Sequence, residues 1–263
     1  VGGTLIALLL GPYAACIAIS VALFIQAIIF GDGGILSFGA NCFNIAFILP
    51  FTGFFIYKIL NKIHLSPFYH KCTIFLSAYI SINLAAFFTA LELGIQPLLF
   101  VDNLGQPLYC PYPLWISIPA MALSHLTIAG IAEGLFTLSL YLFILKTSPN
   151  IIYDSQQIKL NSIFSLLAFL IIISPLGLIA EGTAWGEWAP EEILNDTSLG
   201  VPLGFIPEKL LNGFNYEAFF PDYTMSGTTD ILAYIASAII GVALLIIIFK
   251  ILGSIIYAKK QSL

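Results

Sequence analysis

The chain contains no arginine, and all nine of its basic residues are lysine. Net charge is −5, so the basic surplus that nucleic-acid binding requires is missing. Charged residues make up only 9% of the 263 positions, against about 25% in an ordinary soluble domain, which excludes that class. Cysteine is scarce too. Cys16, Cys42, Cys72 and Cys110 show no paired spacing and no C-x-x-C, so they read as packing residues and not as a disulfide framework or zinc site. No G-x-x-x-x-G-K-[ST] occurs, so the chain does not hold ATP through a P-loop. No H-E-x-x-H or G-x-S-x-G occurs, which argues against an intramembrane hydrolase. There is neither a signal peptide nor an initiator Met, and the sequence opens inside an apolar run at Val1-Gly2-Gly3-Thr4. The expectation is that the natural N-terminus lies upstream.

Hydrophobic residues, by contrast, fill 59% of the chain. Apolar runs long enough to cross ~30 Å of hydrocarbon recur along it, predicting spans at about 12–30, 40–60, 74–94, 119–145, 159–179 and 230–256. A short apolar piece, Thr4 to Leu10, precedes the first. Gly11-Pro12 then gives either one kinked helix or a short helix, a break and a full span; proline's missing donor favours the break. Lys58, Lys62 and Lys71 follow the second span, Lys146 and Lys159 the fourth, and Lys250, Lys259 and Lys260 the last. Loops 31–39 and 95–118 hold no lysine, and loop 180–229 holds only Lys209. The positive-inside rule therefore places the lysine loops and the C-terminus in the cytoplasm. The fold class predicted is an all-α polytopic transmembrane bundle. Residues 1–147 form a core, and residues 148–263 a two-span hairpin enclosing the long external loop, with the seam at Ser148-Pro149-Asn150.

Few residues in the apolar segments carry chemistry. Asn41 and Asn44, at i and i+3, share a helical face. They line a cavity or anchor a ligand-bearing loop, or they cap and cross-link helices, which the spacing alone favours. Glu133 shares a face with Gly130, Gly134 and Thr137, a tightly packed interior stripe where a carboxylate is a functional candidate by default. His125 lies two turns earlier, and the two could bound one polar cavity; a packing role for the histidine is the simpler reading. His64 and His70 bracket Pro67 in a cytoplasmic loop, as a solvated surface or a coupling site for a partner protein. Ala14, Ala18 and Ala22 recur at i+4 and read as internal packing first, or as a surface for a partner subunit. The external loop carries eight carboxylates, from Glu181 to Asp222, whose field either concentrates divalent cations or is ordinary surface charge. Within it, Trp185 and Trp188 suggest interfacial anchoring.

One combination of motifs is more specific. Gly2-Gly3-Thr4, Leu10-Gly11-Pro12, Gln26, Gly31-Asp32-Gly33-Gly34, Gly39-Ala40-Asn41 and Asn44, then His125 with Glu133-Gly134, resemble the CbiM/NikM family. These are the membrane substrate-binding components of cobalt/nickel energy-coupling-factor (ECF) transporters. Glu181 to Trp188 and Pro221-Asp222-Tyr223-Thr224 look like the small CbiN/NikN accessory component fused in longer members. The resemblance implies an ECF S-component-like core that captures Co²⁺ or Ni²⁺ from outside as cargo, without a resident cofactor. It implies as partners a transmembrane coupling component, cytoplasmic ATPase subunits and the lipid bilayer, with no nucleic acid, in the cell membrane. The family's ligands are the N-terminal amine and backbone, an adjacent His, and a His just ahead of the Gly-Gly-Thr equivalent. All of these lie upstream of Val1, so no numbered residue is assigned as a metal ligand, and the chain as written is expected to hold metal weakly. Asn41, Asn44, His125 and Glu133 remain as supporting or pathway candidates. The reading is thus a substrate-specificity subunit, no enzyme itself, for cobalt first and nickel second. The rivals are an ion-coupled secondary transporter with Glu133 as proton relay and, last, an intramembrane enzyme using His125 and Glu133, for which no nucleophile–base constellation is present.

Overall fold

The computed structural model describes residues 2–63, 66–149, 160–179, 185–214 and 216–261, excepting the side chains of 160 and 259–261. His64, Asn150, Lys159 and the Glu181 to Ala184 stretch lie outside the described residues, as do the side chains of Lys259 and Lys260. Among the described residues, six helices are long and apolar enough to cross a membrane: α2 (Pro12–Phe30), α3 (Phe38–Leu60), α4 (Pro67–Leu99), α5 (Leu114–Thr147), α6 (Asn161–Ile179) and α9 (Asp230–Ala258, continuing to Gln261). They coincide with the six runs read from the sequence. A short α1 (Gly3–Leu10) precedes them, and α7 (Pro190–Asn195) and α8 (Glu208–Leu211) lie in the long loop. No strand forms among the described residues, which carry one isolated bridge between Val101 and Pro107.

The chain breaks where proline predicts it. Gly11 adopts φ 86°, ψ 158°, and Pro12 opens the next helix, where its missing N–H costs nothing. The break folds α1 back among the spans, so that it packs on α2, α3 and α4. Central α4 also contacts α3 and α5 and buries a face of small residues, including Ser77, Ala78, Ser81, Ala85, Ala86, Ala90 and Gly94. Without a hydrophobic drive between helices in lipid, such faces let backbones approach closely. Thr4 Oγ1 and Ser81 Oγ share a buried 2.7 Å hydrogen bond across the α1–α4 contact. Leu5, Leu8, Ile74 and Tyr141 form one apolar cluster, and Ala7, Ala15, Ile19 and Ala46 another.

The alanine stripe does not serve internal packing, the first of its two readings. Ala14 is exposed and Ala18 and Ala22 are half-buried, whereas α2 buries Ala15, Ile19 and Ile25. One residue is ~100° of helix, so the position of α1 and α3 selects the neighbouring face. Three spans also depart from α-helical winding: Gln26–Phe30, Cys42–Ile48 and His125–Ala129 are π-helical. Each contains one of the polar residues singled out above. Gln26 and His125 open their segments, and Asn44 lies inside its own.

Candidate functional site

The Gly31 to Gly34 turn ends α2 and leads into α3. Around it lies a cavity of about 80 Å³ lined by Leu23, Gln26, Ala27, Asp32, Phe38, Asn41 and Glu187, among others. That is room for two or three waters. The Gln26 amide donates to Asp32 Oδ2 at 2.6 Å, and the Tyr223 hydroxyl donates to the same oxygen. Asn41 Nδ2 donates to the Gly33 carbonyl at 2.8 Å, pinning the turn to α3. Glu187 reaches the cavity from the long loop between α6 and α9. Burial first, and the charge of Asp32 second, push its carboxyl above the usual carboxylate range. Core and C-terminal part thus build one polar pocket, with two carboxylates at its rim.

The two asparagines separate, contrary to their spacing. Asn41 lines the cavity, while Asn44 is buried and donates through Nδ2 to Glu92 Oε2 on α4 at 2.7 Å. Asn44 Oδ1 has no hydrogen-bond partner among the described residues. The cause is the π segment, whose wider turn re-aims side chains relative to an α-helical count. Glu92 went unmarked in the sequence, although a glutamate within an apolar run is the signal that drew attention to Glu133.

Glu133 and His125 do not bound a common cavity either. Glu133 is 4% exposed, and its Oε1 accepts the Gly2 backbone N–H at 2.9 Å, joining α5 to the start of α1. Gly134 beside it meets the Phe75 ring, which a Cβ would approach to 2.6 Å. His125 turns to its own helix, where Nδ1 lies 2.9 Å from the Met121 carbonyl and 3.1 Å from Ser124 Oγ. Eight residues of helix, ~12 Å, lie between the two. On the opposite side of the core, the His70 Nδ1 sits 3.0 Å from Asn61 Oδ1, with its ring against Tyr57 and Tyr141. Among the described residues no group of three or more His, Cys, Asp and Glu is arranged to hold a metal ion.

Trp185 and Trp188 join the loop to the core. Both pack on the fully buried Tyr112, with ring centroids at 5.7 and 5.0 Å, and on each other at 5.0 Å. Cys110 and Ile193 complete this cluster, where burial pushes the Cys110 thiol up to about 11. The Tyr112 hydroxyl donates to Asp196 Oδ1 at 2.5 Å. Burial, then this bond, raises the phenol. Asp196 lies below the usual carboxylate range because hydrogen bonds from Ser198 and Tyr112 outweigh its desolvation.

The raised Glu187 gives a first prediction. A carboxyl whose folded value exceeds its unfolded one favours the native state when protonated and opposes it when ionised. Glu187→Gln is therefore expected to raise the Tm at pH 7 by roughly 1–2 °C, small because the carboxyl sits at the cavity rim, where solvent still screens it. The gain should vanish as pH falls through the raised value. A pH-independent gain, or none at pH 7, would refute the raised Glu187 carboxyl.

Residues 1–151 match the family described as cobalt uptake substrate-specific transmembrane region (CbiM), and residues 160–258 match the PDGLE domain. The chain is 42% identical over 251 residues to the probable fused nickel transport protein LarMN of Lactiplantibacillus plantarum, covering 95% of this chain and 75% of that protein. It is 40% identical over 256 residues to the fused nickel transport protein NikMN of Rhodobacter capsulatus, covering 91% and 74%. A crystal structure of a truncated transition metal transporter superposes with a TM-score of 0.53 at 49% identity, covering 56% of this chain and 67% of that one.

Proposed function

The chain belongs to the CbiM family of cobalt-uptake substrate-specific transmembrane regions, and from that premise we propose that it is the specificity subunit of an ATP-driven, ECF-type importer of Ni²⁺ or Co²⁺. At the coarser level it is a multi-pass membrane protein of nickel/cobalt transport, a transporter and not an enzyme. The observation that carries the finer reading is likeness over both parts at once: three fused relatives, each matching more than nine-tenths of this chain, are all named for nickel transport. That order puts nickel ahead of cobalt, the reverse of the order drawn from motifs alone. The absence of a P-loop motif supports a separate source of ATP hydrolysis, from cytoplasmic ATPases acting through a transmembrane coupling component. The lysine asymmetry supports a cytoplasmic C-terminus and an outward-facing cavity at Asp32 and Glu187.

The test is metal uptake by cells producing the full-length protein with and without the ATPase subunits, comparing Ni²⁺ with Co²⁺. Accumulation of Ni²⁺ only when the ATPases are present is the expected result. Uptake that follows a proton gradient in their absence would replace the reading with an ion-coupled transporter. No uptake of either metal, with all subunits inserted, would refute it outright.

A further inference from the structure

The outer end of α2 is closed by chain that comes from nearly two hundred residues away. The π segment Gln26–Phe30 ends this helix and leaves its last carbonyls without helical donors. Two of them are taken by segment 216–223: the Phe220 N–H donates to the Ile29 carbonyl at 2.9 Å, and the Tyr216 hydroxyl to the Ile28 carbonyl at 3.2 Å. Tyr223 then reaches Asp32, and its ring stacks on Phe30 at 4.9 Å and leans on Tyr234 at 5.5 Å. The approach is close. Gly31 has φ 73°, and a Cβ there would stand 3.1 Å from that of Ala218.

The same segment holds an uncommon backbone. Asp222 and Tyr223 both have positive φ, 50° and 60°, and they are the only non-glycine residues with positive φ among those described. Side-chain-bearing residues adopt that region at a cost, so it persists only where contacts repay it. Here the contacts are the ring stack and the phenol–carboxylate bond. Losing that bond would weaken the hold on Asp32 and free the backbone to relax. A segment strained when docked and held by three hydrogen bonds, all at one helix end, has the makings of a two-state element.

We propose that segment 216–223 is a latch by which the C-terminal part closes the polar cavity of the core, with Tyr223–Asp32 as its catch. The proposal rests on the importer reading only for what passes the latch, a divalent cation. The latch itself is a statement about access to the cavity. In the closed form both donors on Asp32 occupy Oδ2, and Glu187 stands at the rim. Opening separates the C-terminal part from the end of α2 and exposes the apolar floor, which includes Ala27, 4% exposed.

The test uses the whole protein with its partner subunits in membranes. Cys16, Cys42, Cys72 and Cys110 are replaced by alanine, and Ala27→Cys serves as reporter. A membrane-impermeant, charged methanethiosulfonate is added from outside, and the modification rate is read by mass. Leu104→Cys, on an external turn at 86% exposure, is the control. Tyr223→Phe keeps the ring stack and removes only the hydroxyl. It should speed labelling of the Ala27→Cys reporter at least about tenfold, the factor associated with one hydrogen bond to a charged group. Ala218→Leu, which wedges the segment off Gly31, should act in the same direction. The control rate should not move in either variant. Equal reporter rates in the parent and both variants would overturn the latch, as would a parent rate already equal to the control. No metal enters this readout. Loss of uptake with intact latch behaviour would therefore strike the importer reading alone, and ATPase-dependent uptake with unchanged labelling would strike the latch alone.

Discussion

Replacing Glu133 by alanine is expected to lower metal uptake to less than about a tenth, while Glu133→Gln keeps most of it. The carboxylate is buried and accepts the Gly2 N–H, which fixes the start of α1 against α5. Alanine strands that donor and leaves a void; each effect costs roughly 1–3 kcal/mol, enough to shift the α1 position by an order of magnitude or more in population. Glutamine still offers an oxygen at the same place and should stay within about 1 kcal/mol of the parent in thermal stability. The pair of variants also separates two roles. A proton relay needs a titrating group, so a relay would fail with glutamine as completely as with alanine. Uptake measured in the two variants at equal expression decides: a null Gln variant with a parental Tm would make Glu133 a proton-transfer group, and the anchoring role assigned here would fall.

The second large effect is expected at Tyr112. This ring is fully buried between Trp185 and Trp188, and its hydroxyl holds Asp196. Tyr112→Ala should cost about 3–5 kcal/mol, the range for emptying a buried aromatic site, and should release the loop between α6 and α9 from the core. Two of the three tryptophans of the chain lie in this cluster. The expected signature is therefore a red-shifted Trp emission together with protease cleavage in 185–214. Tyr112→Phe keeps the ring and loses only the bond, at about 1.5–3 kcal/mol, the range for hydrogen bonds to charged groups. Its effect has a defined pH dependence. Asp196 is held below its unfolded value of about 3.9. Its contribution is therefore complete above that value and is lost as pH falls through the folded one. The gap between Tyr112→Phe and parent should close in strong acid. Unchanged emission and protease resistance in Tyr112→Ala would show that the loop docks by other means.

The aromatic cluster fixes Glu187, which lies between Trp185 and Trp188 in sequence, at the rim of the cavity whose other carboxylate is Asp32. The C-terminal part is joined to the core at Tyr112 with the tryptophans, at the end of α2 with segment 216–223, through the Lys209 N–H to the Leu108 carbonyl, and where α9 packs on α2. A variant that frees the loop at Tyr112 leaves the other attachments to be tested separately.

Composition by itself determined the class. Hydrophobic run length set the six spans to within a few residues, because a segment's stability in lipid depends on its own side chains and internally satisfied backbone, both local properties. Proline chemistry likewise placed the break at Gly11, and the interior face of Glu133 with Gly130, Gly134 and Thr137 was legible because that stretch winds as a regular α-helix. The candidate site was only half legible. Asn41 and Asn44 were found, but a count of 3.6 residues per turn put them on one face, and the π segment sent one to Gly33 and the other to Glu92. The tryptophans read as membrane anchors because sequence shows their amphipathic rings and not Tyr112, more than seventy positions upstream. What only the tertiary structure decided were the pairings themselves: Glu133 with Gly2, Asn44 with Glu92, and Asp32 with Tyr223, separated by 131, 48 and 191 residues. A buried or half-buried polar group must find a partner, and the sequence says that much. Which partner it finds depends on how helices that are individually stable in the bilayer pack against one another, and that is settled by side-chain fit between distant segments.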